Sequence, residues 1–205
     1  GALTVAVVTK PFAVEGRKRM KQAELGLAEL RGCVDTMITI PNSRLREVEE
    51  NITLMDAFHR ADDVLLHAVR GITDLITTPG IINLDFADVR TVMTGRGVAL
   101  MGVGSARGEN AAAMAMRSAL DYKLLEENSI AGAKAALINI AGGPSMPLGE
   151  IEDAIGMIEA EADEQADIIW GSVIREDLMD EIKVTVIATG FDSTAQAVLP
   201  NPSAF

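Results

Sequence analysis

One cysteine, Cys33, is present among 205 residues, so no disulfide can close within the chain and no C-x-x-C pair exists to hold zinc or exchange thiols. A reducing cytoplasm is the expected setting. Aromatic residues amount to only 3%, while alanine, glycine, methionine and β-branched residues abound. Such a composition builds a core from sheets covered by Ala- and Leu-rich helices. Basic charge is also short: 18 Lys and Arg against 30 Asp and Glu leave a net charge of −12. Nucleic-acid binding needs a basic face for the phosphates, and this balance opposes it. Hydrophobic residues make up 48%, yet no run approaches the ~20 apolar residues of a membrane-spanning helix, so no direct membrane insertion is expected. The opening GALTVAVVTK lacks the basic, apolar, small-residue order of a signal peptide. No P-loop and no G-x-S-x-G elbow occurs anywhere.

What remains is a soluble, acidic α/β pattern, long enough to bury roughly 70% of its unfolded surface without staples. LTVAVVT (3–9) and VDTMITIP (34–41) read as strands covered on both faces. Between them, over 14–31, Met20, Ala23, Leu27 and Leu30 fall at helical spacing, which gives a parallel crossover. Residues 53–77 form the longest periodic helix. Its apolar stripe comprises Leu54, Ala57, Phe58, Ala61, Leu65, Ala68, Val69, Ile72 and Ile76. Thr53 and Asp56 resemble a capping pair, Pro79-Gly80 is the stop, and 24 residues make a rod of about 36 Å. The second half reads helix (86–94), strand (97–106), helix (109–121), strand (134–143), helix (148–163) and two final strands (166–174, 181–190). The short polar link REDLMD between those strands predicts a hairpin, hence a mixed sheet. The last residues, STAQAVLPNPSAF, read as a tail.

Several motifs reduce to scaffold. GVGSARG (102–108) follows a strand and precedes a helix. However, Arg107 stands where a dinucleotide fingerprint needs a small residue, and the acidic partner would fall at Glu126 or Glu127, away from a strand end. It reads as a turn eased by glycine. GGPSMP (142–147) is likewise a turn whose serine has no histidine near it in sequence. His59 and His67 lie eight apart on one helix, about 12 Å, too far for one metal, so no metal site is expected.

GIINLDFADV (80–89) is different, because Asn83, Asp85 and Asp88 interrupt an apolar stretch. Helix capping explains two of them: Asp85 suits an N-cap, with Asp88 at the third position. Two carboxylates about 6 Å apart repel by ~0.7–3 kcal/mol. Protonating an ordinary carboxyl at pH 7 costs roughly 4 kcal/mol more, and a helix N-terminus opposes it further. Ionised acids cannot share a proton, but they can orient a water or attract a cation. Capping leaves Asn83 unexplained.

VAVVTKPF, EGRKRM, ITIPN, LMDAFHRADDVL, GITDLITTPGIINLDFADVRTVM and VTVIATGF together resemble the FtsZ family of bacterial tubulin-like cell-division GTPases. They occur in that family's order and spacing, up to about Asp192. The resemblance implies a tubulin/FtsZ-like α/β fold. Residues 1–53 would be the end of a Rossmann-like GTP-binding domain, 54–77 a central helix, 78–192 a two-layer C-terminal activation domain on a four-stranded mixed sheet with helices on one side, and 193–205 a flexible tail. It also implies a Gly-rich phosphate loop upstream of Gly1 and a partner-binding tail beyond Phe205, so the chain is expected to be part of a longer protein.

By the same resemblance, Glu15 and Arg19 match positions at the ribose and phosphate side of GTP or GDP. From the residues alone they are an i, i+4 ion pair. Phe58 and Asp62 match guanine contacts: a ring can stack on the base, and a carboxylate can accept from guanine N1–H and the 2-amino group. Periodicity alone would assign Phe58 to the core. Asn42 is a further candidate for that pocket. Asn83, Asp85 and Asp88 match a loop that enters the nucleotide pocket of the next subunit, where the acids position the water attacking the γ-phosphate. Mg2+ can accompany the nucleotide. The implied assembly is a head-to-tail homopolymer at a cytoplasmic, mid-cell division ring, with ring regulators and membrane tethers bound through the tail. The alternative is an autonomous C-terminal domain that only binds or caps filaments. A tubulin-like plasmid-segregation protein or a regulatory paralogue is a third reading.

Overall fold

A computed structural model describes residues 2–45, 52–78, 80–121, 130 and 132–191. The expected tail over 193–205, the stop residue Pro79 and the Glu126–Glu127 pair lie outside them. Among the described residues, seven strands form one continuous sheet in the order β1-β2-β4-β7-β5-β6-β3. They are β1 (Val5–Lys10), β2 (Thr36–Pro41), β3 (Gly80–Ile82), β4 (Gly97–Arg107), β5 (Ala135–Gly142), β6 (Asp167–Ile174) and β7 (Glu181–Thr189). The helices are α1 (Arg17–Arg31), α2 (Leu54–Thr77), α3 (Phe86–Met93), α4 (Ala111–Leu120) and α5 (Leu148–Glu161).

The β1-α1-β2 crossover forms as the pattern dictates, with β1 parallel to β2 and Lys10 opposite Pro41. The sheet does not stop at four strands. β2 continues into β4 through a parallel contact at Thr36–Gly97, Met37–Val98 and Ile38–Ala99, which fuses the two expected sheets. At the far edge the short β3, hidden inside what reads as a loop, pairs antiparallel with β6.

The expected hairpin is also absent. β6 pairs in parallel with β5, while β7 lies on the other side of β5, antiparallel to both β5 and β4. The link carries a 3-10 turn at Glu176–Leu178, and Arg175 N–H donates to the Gly142 carbonyl (2.9 Å) as the chain passes the end of β5. Strands two places apart are about 10 Å away, a distance that six residues cover with ease. The sheet is mixed because β7 runs antiparallel between β4 and β5, and β3 runs antiparallel to β6 at the edge. GVGSARG is likewise mostly strand: Gly102 and Gly104 lie in β4, and only Gly108, with φ +85°, makes the turn.

Helices cover both faces rather than one, because the inner strands are apolar on both. Ala136, Ile138 and Ile140 of β5 and Val184, Val186 and Ala188 of β7 pack under α4 and α5. Their alternates, Ala135, Leu137 and Ile187, pack under α2 and α3. Period-2 alternation therefore feeds two cores from the same strands. α4 comes very close to β4, since a Cβ on Gly102 or Gly104 would sit 1.9–2.0 Å from the Ala119 and Ala115 carbonyl oxygens.

α2 spans the expected residues, and the Thr53 hydroxyl accepts from Asp56 N–H at 3.2 Å as its cap. Its buried seam is Ala57, Ala61, Val64, Ala68, Gly71 and Leu75. That seam is narrower than the apolar stripe, and Leu54, Phe58, Val69 and Ile76 stay exposed. Small residues in the seam let the helix lie close to the sheet: a Cβ on Gly71 would meet the Thr185 methyl at 2.7 Å.

Candidate functional site

The nucleotide-side candidates gather beyond the carboxyl ends of β1 and β2, the usual ligand crevice of a parallel sheet. After β1, Lys10-Pro11 turns the chain into a 3-10 turn at Ala13–Glu15. There the Glu15 carboxylate does two things: one oxygen accepts the Phe12 N–H at 2.8 Å, and the other meets Arg19 Nε at 3.1 Å. The i, i+4 ion pair expected from the residues is thus present, and it also anchors the turn. Arg19 remains 69% exposed at its side chain, with room to meet an anion. After β2, Asn42 begins another 3-10 turn. It is buried, 5% exposed, and among the described residues its Oδ1 has no hydrogen-bond partner. A buried acceptor without a donor is costly, so this atom fits a ligand that brings an N–H or O–H group.

The first turns of α2 complete this end. Phe58 is 42% exposed, so it is not the core residue that periodicity alone made it. Its ring meets Phe12 edge-on, with centroids 5.1 Å apart and planes at 72°. Asp62 lies one turn further along α2 and is exposed. Glu15, Arg19 and Phe58 are thereby joined through Phe12, a residue the sequence reading did not select. The only signal for it was its place just after the strand-ending Lys10-Pro11.

Asn83, Asp85 and Asp88 lie elsewhere, at the far end of α2. From Asp62 to Thr77 the helix alone advances roughly 22 Å. Asn83 accepts the Gly80 N–H at its Oδ1 (2.7 Å) and donates Nδ2–H to the Gly80 carbonyl (3.1 Å). Both ends of its amide therefore clamp the loop onto β3, which answers what capping could not. Gly80 itself has no alternative, because a Cβ there would lie 1.9 Å from the Ser172 carbonyl oxygen on β6. Asp85 caps α3 by accepting the Asp88 N–H at 2.9 Å, as the pattern anticipated. The Asp88 carboxylate, half-buried, bonds to no described residue. Chemically the loop offers one committed cap and one acid available to a water or cation. Among the described residues no three His, Cys, Asp or Glu side chains gather as a metal site, and no helix is long and apolar enough to cross a membrane.

A separate cleft of about 360 Å³ opens between α2 and β4, lined by Arg60, Asp63, His67, Ser105, Ser118 and Lys183 among others. It contains no candidate site residue.

Residues 97–192 match the FtsZ family C-terminal domain, and residues 1–50 match the Tubulin/FtsZ family GTPase domain. Among solved structures, the chain superposes on an empty FtsZ dimer from M. jannaschii with TM-score 0.89 at 42% identity. The match covers 95% of this chain and 56% of that one. A W319Y mutant of the M. jannaschii FtsZ gives TM-score 0.89 and 42% identity, over 94% of this chain and 58% of the other. The chain thus spans little more than half the length of these proteins. GDP-bound CetZ1 from Haloferax volcanii shares the fold at 17% identity, with TM-score 0.67 over 92% of this chain and 55% of that one. A tubulin-like α/β fold, two family matches in the proper order and high identity over nearly all of its length agree: the chain belongs to the tubulin/FtsZ family, and its C-terminal part is an FtsZ domain.

Proposed function

We propose that this chain acts within a GTPase that assembles head to tail, each copy completing its neighbour's active site. One observation carries the reading: the nucleotide-side residues and the acid loop stand at opposite ends of α2, too far apart to meet on one substrate. A heterologous contact between such unlike ends does not close on itself, so it builds a filament. Exposed apolar side chains at both ends suit this contact: Val14, Leu54 and Met55 near the pocket, Ile81 and Phe86 beside the acids.

In this reading Phe58 stacks on guanine, Asp62 and Asn42 accept its N–H groups, and Arg19 lies toward the ribose and phosphates. Mg2+, where it accompanies GTP, would neutralise charge on the phosphates. The Asp88 carboxylate of the next copy, held in place by the Asp85 cap and the Asn83 clamp, orients the water that attacks the γ-phosphate. Ionised acids suit that task, because they hold and polarise water without first losing a proton. Similarity to FtsZ supports a cytoplasmic division ring as the location, with regulators and membrane tethers as further partners.

Two subunit variants test this. Asp88→Ala keeps the pocket and lacks the acid, whereas Asp62→Ala weakens the pocket and keeps the acid. Mixed in the full-length protein, they are expected to recover GTP turnover that neither shows alone. A mixture that co-assembles yet hydrolyses no more than its parts would place the acids' action within their own chain and defeat the proposal. The 205-residue chain by itself is expected to bind GTP weakly or not at all, since it contains no Gly-rich phosphate cradle. Low-micromolar affinity by calorimetry would contradict this.

A further inference from the structure

We propose that Phe12 is a positioning residue for base recognition, acting through Phe58. The inference rests on the nucleotide pocket proposed above. Phe58 is attached to α2 but escapes the buried seam, so a half-exposed ring there would ordinarily turn among rotamers. Phe12 removes that freedom. Its own ring is 8% exposed and meets Phe58 at 72° with a centroid separation of 5.1 Å, the edge-to-face arrangement that aromatic quadrupoles favour. Phe12 is in turn fixed at its backbone, where its N–H donates to Glu15 and its carbonyl accepts Glu15 N–H at 3.0 Å. Glu15 holds Arg19 with its other oxygen. One short stretch after β1 thereby sets the base-stacking ring on one side and the phosphate-side cation on the other. A purine would find its platform already oriented, and the entropy of ordering that ring is met in folding rather than in binding.

A double-mutant cycle on GDP affinity tests this in the protein at its native full length, using Phe12→Leu, Phe58→Leu and the pair. GDP avoids the complication of turnover. Phe12→Leu keeps an apolar group of similar bulk, so thermal melting should show the protein folded; Phe12→Met serves as a second variant. Loss of an edge-to-face partner is expected to weaken GDP binding about two- to tenfold, and this loss should vanish in the Phe58→Leu background. A purely structural role would cost the same in both backgrounds and overturns the proposal. So does an unchanged affinity in Phe12→Leu when Phe58→Leu alone weakens binding. If Phe58→Leu leaves GDP affinity untouched, the pocket reading itself fails and this proposal with it. An independent readout is the Phe58 ring in 13C-labelled protein without nucleotide. Its ring-current shift should collapse and its flipping should quicken in Phe12→Leu, and a Phe58 ring indifferent to Phe12 also refutes the inference.

Discussion

The side chains of the acid loop divide their labour, and the division decides how each should respond to substitution. Asp88 has a carboxylate bonded to no described residue, whereas Asn83 spends its amide on Gly80. In the full-length protein Asp88→Asn is therefore expected to lower turnover by about 10²–10⁴-fold, the usual worth of a positioned acid or base. GDP affinity should stay unchanged, because the proposed pocket lies at the other end of α2. Asn83→Ala removes two local hydrogen bonds but no reacting group, so a smaller loss, about tenfold, is expected. Steady-state kinetics and GDP titration on the two variants check the order. Equal losses would make Asn83 a direct participant.

At the scale of elements, close approach explains where glycine is required. Gly104→Ala on β4 would drive a Cβ to 2.0 Å from the Ala115 carbonyl oxygen of α4. Backbone atoms cannot move aside cheaply, so a loss of about 3 kcal/mol or more is expected. Gly156→Ala is the contrast: it lies inside α5, exposed, with nothing within 4 Å of the added carbon. It should stabilise the protein by about 0.5–1 kcal/mol, the ordinary helical preference for alanine. Two buried threonines finish α3 from the neighbouring strands, Thr36 donating to the Met93 carbonyl and Thr189 to the Val92 carbonyl (2.9 Å). Thr189→Val keeps the shape and strands that carbonyl, at a cost of about 1–3 kcal/mol. Thermal melts of the three variants, read against wild type, are the check.

The molecule as a whole is unified by its sheet. Its two cores lie on opposite faces of β5 and β7, so neither can melt without exposing strands that support the other. A single thermal transition is expected by calorimetry, and two resolved transitions would contradict this coupling. Charge adds a pH dependence at one sheet end. Glu181 accepts from Arg107 at 2.8 Å and has Lys183 at 3.6 Å, and the Arg107 hydrogen bond holds its carboxyl below the ordinary 4.5. A carboxyl depressed in the folded state contributes stability that is complete above its unfolded value and fades as pH falls through the folded one. Glu181→Gln should therefore lower the melting temperature at pH 7, and its deficit should shrink progressively below about pH 4.5. A deficit that does not change with pH would mean that packing, not ionisation, is what Glu181 supplies.

The sequence by itself determined the local pieces. The helices at 54–77 and 86–93, the half-buried face of α1 at Met20, Ala23, Leu27 and Leu30, and the Thr53 and Asp85 caps were all legible. Each depends on periodicity or on side chains within a few residues, which is where local sequence acts. Periodicity alone would have buried Phe58, which family likeness set outside the core and which is exposed. Only the tertiary structure decided what depends on neighbours distant in the chain. It placed β5 between β6 and β7, because strand order is chosen by which apolar faces pack, and a six-residue link permits either arrangement. It joined β2 to β4 through three residue pairs and exposed half of α2's apolar stripe. It also brought Phe12 against Phe58 and set the acids at the other end of the helix. Contacts across 46 residues of chain, or their absence across a rod of 24, are energies of packing, and they exist only once the chain has folded.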